Sequence, residues 1–521
     1  MPRHQTSRFR FISPGLLLLL LTGPLLAACG GGGPNPPGQT VSVTVTPTTL
    51  QLAPGQTSEI TATVTGTSDT SVTWSASGGT LAESGSTVTY TAPDSSGTYT
   101  VTATSNADTS KRAQATVQVA AGAPTWLYGF GSPASDLLAG LALDTGDSAV
   151  VVGLTAGALQ GHENLGGQDG FVVKVGPDGA EVWADQFGTA QSDSANGVTT
   201  DAADAIYVVG TTLGTLGSTR VGSYDAFVRK YAADGEVLWT TQYGTAVADS
   251  ASAVVVDAAG NVFIAGGTDG VFSGNTSSGA SDAYVAMFDE AGSLQWVRQF
   301  GASADSSTLP DAMALADDGS IYVVGATSGA FPDQTLTSQY DAFLAKLAAD
   351  GEPLWFRQMG SGQHNSMRAV AVDADGSVLV AGYTMGELVS GQYAGDVDAF
   401  VMKYAPDGGL VWARQFGTEV ADSPYSLVVD SLGAVKVVGV TQGELPGATR
   451  TGVRDLFVAD LNGATGEVSG FWQYGLADAT LLAEGIALAA DGDQVIAGNA
   501  QPGFTDPEEN FRDGFVLRRT P

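Results

Sequence analysis

The chain has 521 residues, of which 70 are glycine and only 14% are charged. Its formal net charge of −33 repels nucleic acid, other polyanions and anionic lipid headgroups, so these are not expected partners. The single cysteine, Cys29, excludes an intramolecular disulfide and a cysteine-based zinc site. Such a composition favours many short strands joined by glycine turns.

The N-terminal segment is predicted to be an export and anchoring signal. Positively charged residues precede an apolar stretch that is short for a membrane span and ends at Cys29. The motif Leu-Ala-Ala-Cys at 26–29 resembles the bacterial lipobox. The resemblance implies that the signal peptide 1–28 is removed and that Cys29 is lipidated; the alternative is an ordinary signal peptide with a chance cysteine. Residues 29–40, rich in Gly and Pro, would form a flexible tether.

Residues 41–120 are predicted to form a β-sandwich. Apolar residues alternate with Thr or Ser in about seven short runs, which gives each strand one buried and one solvated face. The sequence from Val45 to Thr57, with Trp74 in mid-domain, resembles the bacterial Ig-like domains of surface proteins. The resemblance implies a spacer or an adhesive module. We expect Trp74 to pack between the sheets, because a large ring at mid-strand is usually buried.

From residue 124 onward, one unit of about 57 residues recurs seven times. Each unit contains an inner strand, an aliphatic strand that ends in Gly, a strand that opens with Asp, and a fourth strand that carries Trp. One fourth strand, at 124–131, precedes the first inner strand, whereas the last unit lacks its own. The pattern predicts a seven-bladed β-propeller over 124–521, closed by the strand at 124–131.

The repeat resembles the bacterial SBBP family of β-propeller repeats. The resemblance lies in the aliphatic-Gly motif, as at 321–325, and in the Asp-Ala-Phe motif, as at 341–343. It implies an all-β protein, a propeller preceded by a small Ig-like sandwich, in a secreted or surface location. It implies no particular activity, because propellers host unrelated functions. One unit departs from the pattern: Gly470 stands in the tryptophan slot, and Trp472 is displaced by two residues along the same strand face.

A ligand site is predicted on the face that carries the longer loops. Six aspartates in the loops that enter the inner strands would form a rim at the channel mouth, suited to Ca²⁺ or a cationic ligand. The six are Asp136, Asp193, Asp249, Asp305, Asp422 and Asp478. The alternative is that each aspartate accepts hydrogen bonds from backbone N–H groups and holds its loop in place. No cofactor other than Ca²⁺ is predicted.

Sequence motifs give little support for catalysis. The sequence contains no nucleophile elbow, zinc-helix motif or phosphate loop, and His162 and His364 belong to different units. The loops between the second and third strands have nearly equal lengths in all units. We therefore expect a protein that is not an enzyme. Carboxylate pairs for glycoside cleavage stay open as an alternative, because acidic residues are concentrated on one face.

These features predict a lipid-anchored cell-envelope protein that faces the periplasm or the exterior. We expect a monomer whose propeller is a binding platform for an envelope protein or a glycan, held at the membrane through Cys29. Two alternatives are an extracytoplasmic enzyme that acts on glycans through carboxylates at the channel mouth, and an accessory lipoprotein of envelope assembly.

Overall fold

The structure is a computed structural model, and it describes residues 40–52, 57–93, 97–119, 124–217, 219–503 and 511–521. The regular structure of these residues consists of 36 strands in four-stranded sheets. Among the described residues, no helix is long and apolar enough to span a membrane. Of the described residues, those from 40 to 125 and Arg519–Pro521 belong to one compact unit, and Trp126–Arg518 belong to another. The predicted signal peptide, Cys29 and most of the predicted tether lie outside the described residues.

The first unit contains eight strands in two four-stranded sheets, ordered β1-β3-β6-β5 and β2-β8-β7-β4. The strands are β1 (Ser42–Thr46), β2 (Thr49–Leu52), β3 (Thr57–Thr65), β4 (Val72–Ala76), β5 (Thr80–Ser84), β6 (Thr87–Thr91), β7 (Gly97–Ser105) and β8 (Arg112–Val119). Buried and exposed residues alternate strictly along β3. The buried side chains form one core that includes Trp74, which is 4% exposed. The predicted burial of Trp74 is confirmed, and the Ig-like resemblance stays a prediction.

The second unit is a ring of four-stranded sheets, seven in the residues that the structure describes, which we call blades 1 to 7. The chain enters through β9 (Trp126–Phe130). In each of blades 1 to 6 the order from the channel outward follows the chain. The strands are β10 (Asp136–Leu143), β11 (Ala149–Thr155), β12 (Asp169–Val175) and β13 (Glu181–Phe187) in blade 1; β14 (Asp193–Thr200), β15 (Ile206–Thr212), β16 (Asp225–Tyr231) and β17 (Val237–Tyr243) in blade 2; β18 (Asp249–Val256), β19 (Val262–Thr268), β20 (Asp282–Phe288) and β21 (Leu294–Phe300) in blade 3; β22 (Thr308–Leu315), β23 (Ile321–Thr327), β24 (Asp341–Leu347) and β25 (Pro353–Met359) in blade 4; β26 (Asn365–Val372), β27 (Val378–Thr384), β28 (Asp398–Tyr404) and β29 (Leu410–Phe416) in blade 5; and β30 (Asp422–Val429), β31 (Ala434–Thr441), β32 (Asp455–Asn462) and β33 (Val468–Tyr474) in blade 6.

Blade 7 joins the two ends of the ring. Its strands are β34 (Thr480–Leu488), β35 (Gln494–Gln501), β36 (Asp513–Arg519) and, on the outside, β9. In the antiparallel pair of β36 and β9, Gly514 lies opposite Phe130 and Arg518 opposite Trp126. Neighbouring inner strands contact one another around the ring, and β34 contacts β10. In the described residues, β9 therefore lies where the closing strand was predicted, as the outer strand of the last sheet.

The register of blade 6 confirms the displaced tryptophan. Gly470 lies opposite Asp460, as Trp412 lies opposite Lys403 in blade 5. Trp472 is buried in an apolar cluster that contains side chains of blades 6 and 7. The indole ring of Trp472 therefore still fills the space between two blades, although Trp472 lies two residues further along the strand.

The glycine that ends each second strand lies where two backbones come close. A Cβ on Gly325 would lie 2.0 Å from the carbonyl oxygen of Leu309, and a Cβ on Gly210 would lie 1.9 Å from that of Ser194. No side chain fits at these distances. The aliphatic-Gly motif therefore marks a close approach of the inner strand, just before a bulge in that strand.

Candidate functional site: the bulge ring of the propeller channel

Four of the six aspartates predicted at the channel rim are buried at the start of inner strands. They are Asp136, Asp193, Asp249 and Asp422. Oδ2 of Asp193 accepts hydrogen bonds from N and Oγ1 of Thr189, at 2.6 and 2.9 Å. Burial is the main cause that raises the pKa of Asp136 to about 6, and neighbouring Asp513 adds to the effect. Each of the four carboxylates accepts a hydrogen bond from a backbone N–H group in the loop that enters its blade.

The other two aspartates occupy different positions, which corrects the alignment of the predicted rim. Asp305 and Asp478 are exposed and adopt left-handed backbone conformations, with φ of 61° and 60°. Thr308 and Leu481 stand at the strand positions that correspond to the buried aspartates. Within the described ranges, no group of three or more His, Cys, Asp or Glu residues is arranged to hold a metal ion. The structure thus does not assemble the six carboxylates into a Ca²⁺ site.

Every inner strand instead contains a β-bulge, and the bulged residues line the channel. At each bulge the pairing with the second strand slips by one residue, as between Leu138 and Gly140. The residues left out of register are Ala139, Asn196, Ser252, Asp311, Arg368, Tyr425 and Glu484. All seven line one cavity of about 310 Å³. We call them the bulge ring; a bulge re-aims a side chain and is frequent beside binding sites.

The bulge ring is the part of the propeller that does not repeat. Its seven positions carry seven different residue types, whereas the residue after each bulge is always Gly, Ala or Ser. Blades 4 to 7 contribute the ionisable side chains Asp311, Arg368, Tyr425 and Glu484, and blades 1 to 3 contribute small or neutral ones. A position needed only for blade architecture would carry the same residue in each unit. The bulge ring therefore has one side with ionisable side chains and one side with small or neutral side chains.

Arg368 lies between two aromatic rings on the ionisable side. Its guanidinium carbon is 4.6 Å from the ring centre of Tyr425 and 5.1 Å from that of Tyr383. These are cation–π distances, and the planar guanidinium keeps its charge at any physiological pH. The two rings thus hold a permanent positive charge at the level of the bulges.

The carboxyl group of Glu484 titrates near neutral pH. Burial raises its pKa to about 7, although Arg368, Asn499 and Arg512 each act in the opposite direction. Oε1 accepts a hydrogen bond of 3.1 Å from Nδ2 of Asn499, whose Oδ1 in turn accepts one of 2.7 Å from the backbone N–H of Leu138. Asn499 therefore contacts Glu484 within blade 7 and is itself held by Leu138 of blade 1. A carboxyl that both holds and releases a proton near pH 7 is suited to acid–base chemistry.

Asp311 supplies the second carboxyl of the ring. Its Oδ2 accepts a hydrogen bond of 3.0 Å from Oγ of Ser366. The surrounding blades raise its pKa by desolvation, and the charge of Arg368 and the Ser366 bond lower it. On balance the pKa of Asp311 is raised, although the side chain reaches the solvent of the channel.

An aromatic group adjoins the bulge ring, and we call it the mouth cluster: Tyr340, His364 and Tyr383. The His364 ring centre is 5.1 Å from Tyr340 and 5.7 Å from Tyr383, nearly parallel to the latter at 3°. Burial and the charge of Arg368 lower the pKa of His364, which favours the neutral imidazole. Flat aromatic surfaces beside a polar pocket are typical of ligand sites. The other histidine considered from the sequence, His162, lies in a loop of blade 1 and is not part of this group.

The sequence analysis did not identify the bulge ring. A signal was present: one position of the inner strand, three residues after its first residue in blades 1 to 6 and four in blade 7, differs between units that otherwise repeat. The variation could not be assigned to the channel from the sequence, because a bulge interrupts the two-residue alternation of a strand. Without the position of the bulge, the alternation does not tell which side chain faces the channel.

The fold and the bulge ring define an all-β propeller with one non-repetitive, ionisable channel. No family model matches the chain, so the SBBP and Ig-like resemblances stay predictions. Among curated proteins, the regulatory protein FlaEY of Caulobacter vibrioides is 28% identical over 229 residues, which cover 40% of this chain and 23% of that protein. The chain therefore spans about a quarter of the length of the curated relative that it matches.

Several solved structures resemble the chain at low sequence identity. A polysaccharide lyase of family PL25, an ulvan lyase, has a TM-score of 0.39 at 10% identity and covers 71% of this chain and 93% of its own. The exotype rhamnogalacturonan lyase YesX has a TM-score of 0.34 at 13% identity, covering 91% and 89%. A thermostable family-43 glycoside hydrolase has a TM-score of 0.27 at 11% identity, covering 51% and 86%. These likenesses concern the arrangement of strands and assign no activity.

The prediction that the protein is not an enzyme was wrong as an inference from uniform loops. Enzymes that act on polysaccharides are among the structures that the chain resembles. The physical reason is that a propeller can vary its inner strands while its loops stay alike. In this chain the variation lies in the bulge ring, where loop length imposes no constraint.

Proposed function

We propose that the protein is a glycan-active enzyme whose active site is the bulge ring. The proposal is supported above all by one observation. Four adjacent blades of a scaffold that otherwise repeats place four ionisable side chains around one channel cavity, namely Asp311, Arg368, Tyr425 and Glu484. A concave pocket with a few convergent polar groups, one of them a carboxyl with a strongly raised pKa, is the arrangement that acid–base catalysis requires.

In this proposal the two carboxyl groups have different roles. Glu484, with a pKa of about 7, donates its proton to the bridging oxygen of a glycosidic bond as the C–O bond breaks, and the leaving group departs as an alcohol. Asp311 accepts a proton from the water molecule that adds to the sugar carbon, so one proton is given and one is taken. Burial raises the pKa of Asp311, and the charge of Arg368 opposes this rise, which favours the ionised base. Asn499 is a positioning residue for Glu484.

The test measures new reducing ends when the full-length protein acts on a panel of soluble glycans. We expect Glu484→Gln to lower cleavage by about 100-fold or more, the range typical of general acid catalysis. Glu236→Gln is the matched control, because Glu236 is exposed in a turn outside the channel. Circular dichroism checks that both variants are folded. Full activity in Glu484→Gln, or no cleavage of any glycan in the panel, would overturn the proposal.

We also propose that the enzyme is exported and held at a bacterial membrane by a lipid on Cys29, with an envelope or external glycan as its substrate. The lipobox-like motif at 26–29 supports this location. Cell fractionation tests it: the wild type should sediment with membranes, and Cys29→Ser should not. A Cys29→Ser variant that stays in the membrane fraction would contradict the anchor.

A further inference from the structure

Two arginines act on Glu484 in a protein in which acidic residues outnumber basic ones by 54 to 21: Arg368, which lines the cavity, and Arg512, which is not one of its lining residues. Arg368 belongs to β26 in blade 5, and Arg512 directly precedes β36 in blade 7. Both lower the pKa of Glu484, so both guanidinium groups act on the same carboxyl from different blades. Nε of Arg512 donates a hydrogen bond of 3.2 Å to Oε1 of Gln501, which orients its side chain.

Several buried cations elsewhere in the propeller are paired with carboxylates, although buried Lys346 donates to the carbonyl oxygen of Pro406 instead. Lys174 lies 2.8 Å from Asp144, and Lys403 lies 2.6 Å from Asp373. Of the ion pairs within 4.0 Å among described residues, none includes Arg368 or Arg512. Arg368 is held by aromatic rings instead. Its charge is therefore positioned without being neutralised at close range.

The charges around the cavity favour an anion. Both guanidinium groups stay charged, whereas burial raises the pKa of Glu484 and of Asp311 and so favours their neutral forms. The overall acidity of the protein disfavours polyanions at long range, but salt screens charges beyond a Debye length of about 8 Å at physiological ionic strength. Local charges therefore decide what binds inside the channel.

We propose that the sugar bound at the bulge ring is a uronic acid, whose carboxylate is bound by Arg368 and Arg512. This inference rests on the proposed function and specifies its substrate class. A guanidinium matches the two oxygens of a carboxylate and forms strong charge-assisted hydrogen bonds with it. The mouth cluster, which contacts Arg368 through Tyr383, would face the flat side of an adjoining sugar ring. The substrate carboxylate would also favour the protonated form of Glu484, the form that the proposed cleavage uses.

Binding is measured by titration calorimetry on the full-length Glu484→Gln variant, which binds without turnover. The ligands are uronic acid oligosaccharides and the same oligosaccharides after reduction of their carboxylates to hydroxymethyl groups, so the two differ only in charge. We expect the acidic form to bind at least about tenfold more tightly, because hydrogen bonds to charged groups contribute about 1.5–3 kcal/mol. Arg512→Gln in the same background should abolish this preference, and Arg368→Gln should do the same.

Arg220→Gln is the matched control, since Arg220 is an exposed loop arginine that donates to the carbonyl oxygen of Gly222. If Arg368→Gln fails to fold, the half-buried Arg512 alone tests the proposal. Equal affinity for the acidic and the reduced form, or tighter binding of a sulfated neutral glycan, would overturn the inference that the ligand is a uronic acid. Neither result would contradict the proposed function. Absence of binding and of cleavage with every glycan would instead overturn the proposed function.

Discussion

Arg368 stacks on Tyr425 of the next blade, with its guanidinium carbon 4.6 Å from the ring centre. The contact joins two bulged residues and holds a cation over the channel cavity. Replacing Tyr425 with Leu should free the arginine and lower kcat/KM by about tenfold, the loss expected from a desolvated cation–π contact. Tyr425→Phe keeps the ring and should retain most of the activity. Equal losses in the two variants would show that the hydroxyl, and not the ring, is what matters.

Glu484 should make the stability of the propeller depend on pH. Its pKa is raised in the folded state from 4.5 to about 7, so the native state binds this proton more tightly than the unfolded state does. Its contribution to stability is complete below about pH 4.5 and is lost as the pH rises through about 7. Relative to the wild type, Glu484→Gln should therefore gain stability between pH 5 and pH 8.

Urea denaturation of both proteins across this pH range measures the effect of Glu484. A constant difference in the free energy of unfolding from pH 5 to pH 8 would contradict the raised pKa. Once a glycan that the protein cleaves is known, the alkaline limb of the pH–activity profile provides a second measurement. Its midpoint should lie near the raised pKa of Glu484.

Two adjacent glycines in β19 should tolerate alanine very differently. A Cβ on Gly266 would lie 1.9 Å from the carbonyl oxygen of Ser250, whereas a Cβ on Gly267 would meet its nearest atom, Oγ of Ser250, at 3.6 Å. Gly266→Ala should destabilise the protein by about 3 kcal/mol, the upper range for overpacking, and Gly267→Ala by less than about 1 kcal/mol. Thermal or urea unfolding checks both. Similar losses in the two variants would contradict the close backbone approach.

Closure of the ring through β9 should be essential for blade 7. A chain that lacks residues 1–123 keeps β9 and should fold, because Trp126–Arg518 form one compact unit. A chain that lacks residues 1–131 exposes the edge of β36, and we expect it to unfold at a lower temperature and to aggregate. Thermal unfolding and light scattering compare the two. Equal behaviour would indicate that the pairing of β9 with β36 contributes little.

Much of the fold follows from the sequence, because its determinants are local and repeated. Alternation predicted strands with buried and solvated faces, as in β3. The unpaired fourth strand at the start of the repeats predicted closure of the last blade, and in the structure Trp126 lies opposite Arg518. The offset of Trp472 was readable too, since strand register is a matter of counting residues. In each case neighbouring residues carry the information.

The site depended on tertiary structure. A bulge adds one residue to a strand, and this shift decides that Asp311, Arg368 and Glu484 face the channel. Asp305 and Asp478 occupy loop positions that match the aspartates of the other repeats in the sequence. Their left-handed backbone conformations nevertheless displace them from the corresponding strand positions. The sequence by itself determined the repeated strands and how the ring closes, because each unit states its own pattern. Only the folded ring decided which seven unlike residues meet, because they lie about 57 residues apart along the chain and share no local pattern.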